Sequence, residues 1–305
     1  DRSRRAALLA KADLVTHAVV EFTSLQGIMG SYYATAAGEP PEVAQAIREH
    51  YRPRFAGDEV PALFEGRVVA LADKIDTICG IFAVGQQPTG SSDPFALRRA
   101  AIGIINILLA GLSVSLEAVI TEALTQLTAV SFDKKEVAEQ VRGFFTTRLE
   151  VIARDRGHAP DTVAAVLATG VLEPVDVLAR CESLEAARSR EPELFEDLAT
   201  AYARANNLRD PELGSTVDPE LLGAPEEALN EAIDQVSHGV ADALERGQYS
   251  QALEQLASLR APIDRFFTDV LIMDSDENLR KNRLKLLNRF VAVFSNIADF
   301  ARLAG

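Results

Sequence analysis

The sequence has no tryptophan, two cysteines, two methionines and four histidines among 305 residues, and aromatic residues make up 6% of it. Cys79 and Cys181 are too few for the disulfide framework of a small secreted domain, and neither stands in metal-ligand spacing with another cysteine or histidine. A reducing compartment, the cytoplasm, is expected. No stretch approaches the roughly 20 apolar residues of a membrane span. The most apolar, Ala100 to Leu112, contains one polar residue, Asn106, and is short enough to read as a core helix. There is no signal-peptide core, so no membrane partner is expected. The first residue is Asp1 rather than methionine, from which we expect a piece of a longer polypeptide. β-branched runs with two-residue alternation are also missing while alanine and leucine abound, which excludes a sheet-built domain and makes an all-α fold the expectation. Cations are in deficit: 31 Lys and Arg against 45 Asp and Glu leave a net charge of −14. Sequence-independent affinity for a polyanion comes from clustered Lys and Arg, so a general nucleic-acid or DNA binder is excluded and any RNA contact has to be local.

What is present is a succession of amphipathic helices. Leu8, Leu9, Ala12, Val15, Val19 and Phe22 recur at helical intervals over residues 3 to 25, as one helix or two short ones ending at Leu25-Gln26-Gly27. Pro40-Pro41 opens a short helix to about His50. Val68, Leu71, Ala72, Ile75, Ile78, Cys79 and Phe82 form one buried stripe, with Asp73, Lys74 and Asp76 off its centre. A polar loop follows, with Gly85, Pro88 and Gly90, and Asp93-Pro94 reads as an N-cap with proline at the first helical position. Asp133 with Glu136 is a capping box for a helix over 134 to 156. Further helices are expected at 115–129, 161–170, 175–189, 192–206, 225–246 and 249–258. The last runs from about Glu277 to Arg302, with Leu284, Leu287, Val291, Phe294, Ile297 and Ala301 as its stripe. A boundary is expected near 170 to 180.

Few residues carry chemistry. Gly85 and Gly90 have the spacing of a phosphate loop, but Ser91-Ser92 stand where its lysine and hydroxyl should be, and a helix precedes it, so the loop reads as structural. None of the four histidines has a nucleophile motif beside it. The better candidate is a basic run: Arg280, Lys281, Arg283, Lys285 and Arg289 fall within ten residues free of acid. They can reach phosphates or base edges as charge-assisted donors, or be a solvated helix face. Arg98 and Arg99, with Arg2, Arg4 and Arg5, are a second candidate positive area, or salt partners. Phe266 and Phe267 read as core packing before base stacking.

ALADKIDT followed by GIFAVGQQPTGSSDPFALRRAAIGI resembles the β subunit of bacterial-type heterotetrameric glycyl-tRNA synthetase, as do KADLVTHAVVEFTSLQGIMGSYYA at 11–34 and APIDRFFTDVLIMDSDENLRKNRLKLL at 261–287. The resemblance spans nearly the whole chain. It implies a degenerate HD-like helical domain at 1–112, an intervening helical region at 113–175, and at 176–305 a helical-bundle anticodon-binding domain of the arginyl-tRNA synthetase type. It further implies that the chain binds and orients tRNA(Gly) for ATP-dependent glycylation. The ATP and Mg site lies in the separate α subunit, so neither a catalytic residue nor a cofactor is expected here. Two alternatives stand beside it. A metal-dependent phosphohydrolase of the HD type requires an adjacent His-Asp pair to complete its metal ligands, and Thr16-His17, His50-Tyr51 and Asp73 do not supply one. The other is a structural docking module for the α subunit.

Overall fold

The computed structural model describes residues 1–55 and 57–304. Among them the regular elements are all helical, and the only strand-like pairing is an isolated bridge between Thr89 and Ser92, so the all-α expectation holds. They form two compact units, one of Asp1–Leu149 with Leu172–Val175, the other of Glu150–Val171 with the residues from Asp176 on.

The first unit holds α1 (Arg2–Leu9), α2 (His17–Glu21), α3 (Ile28–Ala36), α4 (Pro41–Glu49), α5 (Phe64–Ala83), α6 (Leu97–Leu109), α7 (Leu116–Gln126) and most of α8 (Lys134–Asp155). Of the two readings of 3 to 25, one helix or two short ones, the second holds, and a polar residue separates the two. Asp13 is buried, and its Oδ2 accepts hydrogen bonds from Gly27 N at 2.7 Å and Gly30 N at 2.9 Å, which folds a 3-10 turn at Ala12–Val15 between α1 and α2. Gly27, at φ +76°, starts the unanticipated α3, and a Cβ there would sit 3.0 Å from the Tyr51 ring. The stripe of α5 is buried as expected at Leu71, Ile75, Ile78, Cys79 and Phe82, and it is wider than expected. Val69 and Ala70 are buried too, Ala72 is exposed, and Lys74 lies inside. α6 begins at Leu97 rather than after Asp93, yet Asp93 still caps it: its carboxylate accepts from Leu97 N at 2.8 Å and Arg98 N at 3.0 Å. Asp133 caps α8 through Lys135 N and Glu136 N.

The second unit is built from the end of α8, α9 (Pro160–Leu167), most of α10 (Pro174–Arg190), α11 (Pro192–Leu208), α12 (Ala224–Glu245), α13 (Tyr249–Ala257), α14 (Arg260–Asp269) and α15 (Glu277–Ser295). Its centre is aromatic. Phe294 packs against Phe290, Phe300 and Tyr202 with ring centroids 5.0, 5.1 and 5.5 Å apart, and Phe195 extends the cluster from Phe300. Phe294 is fully buried, and its truncation to alanine should cost about 3–5 kcal/mol. α15 stops at Ser295, short of the expected Arg302. The apolar pattern nonetheless continues, because Ile297, Ala298 and Phe300 stay buried in a turn and a 3-10 helix at Phe300–Arg302, with Asp299 N donating to Ala165 O at 2.9 Å.

Candidate nucleic-acid interface

α15 carries the five cations of the basic run, and the fold gives them unlike surroundings. Arg283 lies four residues before Leu287 and seven before Phe290, both fully buried, so it projects from the core side of the helix. Its side chain is 14% exposed. Nε donates to Glu226 Oε1 at 2.8 Å, and Nη1 donates to Asp274 Oδ2 at 2.7 Å and Leu271 O at 2.9 Å. Burial opposes the Arg283 charge, but the carboxylates of Glu226 and Asp274 outweigh it and hold the guanidinium pKa above its ordinary value. Arg289 is similarly engaged, with Asn230 and Asp234 of α12. Arg280 donates through Nη1 to Asp274 O at 2.9 Å.

That leaves the two lysines. Lys281 is exposed and pairs at 2.6 Å with Glu277, one turn before it, a contact that water largely screens. Lys285, half-exposed, has no ion pair or hydrogen bond among the described residues. The two stand four residues apart on one stripe of α15. Phe266, as expected, is fully buried, whereas Phe267 is half-exposed with the Arg204 guanidinium 4.1 Å from its ring centroid.

Arg98 and Arg99 belong to the first unit. Arg98 donates to Gly90 O and so ties α6 to the preceding loop, while Arg99 is exposed and without a partner among the described residues. Beside Arg98 lies Arg148, whose guanidinium is 3.8 Å from the Phe144 ring; its pKa is lowered by burial and by the Arg98 charge. Arg2 pairs with Glu42 at 3.2 Å and Arg5 with Glu39, so these two act as salt partners of α4 and the turn before it.

The first unit also contains a polar cluster that the sequence reading underrated. Lys11 Nζ lies 3.0 Å from Asp73 Oδ1 and 4.1 Å from the Tyr51 ring centroid. His50 is fully buried, its Nδ1 2.6 Å from Ile47 O, and burial together with the Lys11 charge lowers its pKa to about 4. Lys74, 7% exposed, donates to His50 O at 3.1 Å and Arg52 O at 2.9 Å; burial lowers its pKa to about 8. His17 is exposed on α2. Asp73 is thus paired with an ammonium, and among the described residues no three or more His, Cys, Asp or Glu side chains are arranged to hold a metal ion. The burial of Lys74 had one legible signal, its place one residue before Ile75 in a strongly apolar helix. Asp13, whose partners are 14 and 17 residues away, had none.

The sequence pattern of the DALR anticodon binding domain matches residues 198–300, from α11 into the residues that follow α15. The second unit therefore contains a helical domain of the anticodon-binding class. Residues 1–168 match the glycyl-tRNA synthetase beta subunit family, and this chain belongs to that family. Among curated proteins it is 43% identical to the glycine–tRNA ligase beta subunit of Syntrophus aciditrophicus over 99% of its own length. It is 46% identical to that of Geobacter metallireducens over 98% and 43% identical to that of Vibrio cholerae over 99%. The chain spans 44% of the length of each of these relatives. No helix among the described residues is long and apolar enough to cross a membrane.

Proposed function

We propose that this chain is the tRNA-holding part of a cytoplasmic glycine–tRNA ligase: it binds tRNA(Gly), including the anticodon, and orients it for ATP-dependent glycylation at the α subunit of a heterotetramer. The observation that carries this is the coincidence of the anticodon-binding match at 198–300 with a run of five cations in ten acid-free residues, in a chain whose net charge is −14. The five cations divide by role. Lys281, exposed, and Lys285, half-exposed, are placed to neutralise phosphates as point charges. Arg280, Arg283 and Arg289 work chiefly through this chain's own acids and carbonyls, holding the surface on which RNA lies. Arg98 and Arg99 are a second candidate contact, in the first unit. ATP and Mg act at the α subunit, and the residues of this chain bind and position rather than react. On this reading 1–112 is the HD-like domain, 113–175 connects, and 176–305 reads the anticodon.

The test is equilibrium binding of tRNA(Gly) to the chain, with the native anticodon and with substituted anticodons, at two salt concentrations. Binding that weakens on anticodon substitution supports the reading. Equal affinity for every tRNA, or none, contradicts it.

A further inference from the structure

The connection between α14 and α15 is held in place more firmly than its length requires. Arg283 Nη1 donates to Leu271 O at 2.9 Å and to Asp274 Oδ2 at 2.7 Å, and Arg280 Nη1 donates to Asp274 O at 2.9 Å. Asp274 Oδ1 accepts from Asp276 N at 2.9 Å, and Asp276 in turn caps α15 through Asn278 N at 2.8 Å. Ile272 is 6% exposed and plugs the segment into the core. On either side of it, Leu271 and Met273 point outward, 71% and 59% exposed. An alternation of out, in, out on a backbone fixed by two arginines displays two large apolar side chains to water in a set geometry. Neither side chain has a packing reason to be there.

Resting on the reading that the second unit binds tRNA(Gly), we infer that Leu271 and Met273 form the contact for unpaired bases of the anticodon loop. Bases splayed out of a stack present apolar ring faces, which aliphatic and thioether side chains meet without selecting hydrogen-bond edges. The surroundings suit nucleic acid. Lys281 and Lys285 follow on the first turns of α15, where they can take phosphates, and the half-exposed Phe267 under Arg204 lies on α14 just before the loop. Of the loop's acids, Asp274 is turned onto Arg283, and Asp276 onto the helix end. Arg280 and Arg283 are then positioning residues: they set the loop that touches RNA.

The experiment compares the chain with its Leu271→Ser/Met273→Ser and Lys281→Ala/Lys285→Ala variants, measuring tRNA(Gly) binding across a salt series and with substituted anticodons. Both residues of the first variant are exposed, so its thermal melt should match the parent; Met273→Gln, which keeps side-chain length, guards against a local distortion. The apolar variant should bind roughly tenfold to a hundredfold more weakly, the loss of one or two base contacts, by a similar factor for each anticodon and with an unchanged salt slope. The lysine variant should instead lower the salt slope by about 2 and weaken all anticodons alike. If the parent binds tRNA selectively and the apolar variant binds equally well, the inference is overturned while the anticodon-binding reading stands. Loss of α-subunit association with unchanged tRNA binding overturns it too and assigns the patch to a protein partner. A parent chain that does not bind tRNA at all removes the reading itself.

Discussion

Arg283→Ala should destabilise the second unit rather than merely remove a positive charge from it. The guanidinium ties α15 to Glu226 at the start of α12 and to Leu271 and Asp274 in the preceding loop. Its removal leaves the Glu226 carboxylate, 4% exposed, with Gly223 N at 2.8 Å as its remaining hydrogen-bond partner. Breaking one side of a buried ion pair leaves an uncompensated charge, and a cost of about 3 kcal/mol is expected. Urea unfolding followed by circular dichroism measures it, with Glu226→Gln and the double variant completing a cycle. The double variant should recover a large part of the loss, because no naked carboxylate is then left inside. A cost below about 1 kcal/mol, the value of an exposed pair, would refute the argument. The same variant separates positioning from direct phosphate contact. Were Arg283 mainly a phosphate ligand, its loss would leave unfolding unchanged and lower the salt slope of tRNA binding by about 1.

The buried His50 and Lys74 make stability depend on pH in a stated direction. His50 has a pKa of about 4 against an ordinary 6.5, so between these values the unfolded chain binds the extra proton; stability is complete above 6.5 and falls by up to about 1.4 kcal/mol per pH unit as acid is added. His50→Gln should flatten the denaturation midpoint between pH 6.5 and 5, and an equal slope in parent and variant would count against it. Lys74, about 8 against 10.5, has the same sign, so stability should rise from pH 8 toward 10. Gly90 has φ +52° with open space around its Cβ position, so Gly90→Val should lower stability by about 1–2 kcal/mol through backbone strain alone, and nucleotide affinity should be untouched. A melt equal to the parent's would show the turn is not strained. Elemental analysis of the purified chain should find no stoichiometric transition metal, and Asp73→Ala should leave metal content as it was while loosening the contact with Lys11; one bound equivalent lost in that variant would contradict the pairing seen at 3.0 Å.

The helical character and most element positions were legible because long 3.6-residue patterns survive almost any tertiary context, as in α5, α8 and α12. What escaped was governed by polar residues inside the fold. Asp13 divides α1 from α2 through bonds to Gly27 and Gly30, and no local pattern encodes partners so far along the chain. α15 was read past its end because Ile297 and Phe300 keep the apolar rhythm after the hydrogen-bond ladder has stopped. The basic run was legible as composition and illegible as surface. A count of charges treats Arg283 and Lys285 alike, whereas helical phase places Arg283 with Leu287 and Phe290 and so announces its inward partners. That signal was available in the sequence. The exposed Leu271 and Met273 gave no such signal, since in sequence they are continuous with the buried Ile272.

A photo-crosslink tests whether the anticodon lies on the second unit. tRNA(Gly) carrying a photoreactive nucleotide in its anticodon loop would be irradiated with the chain, and the attached peptide identified by mass spectrometry. Attachment within residues 265–289 is the expected result; attachment confined to residues 1–149 would put the anticodon on the first unit instead.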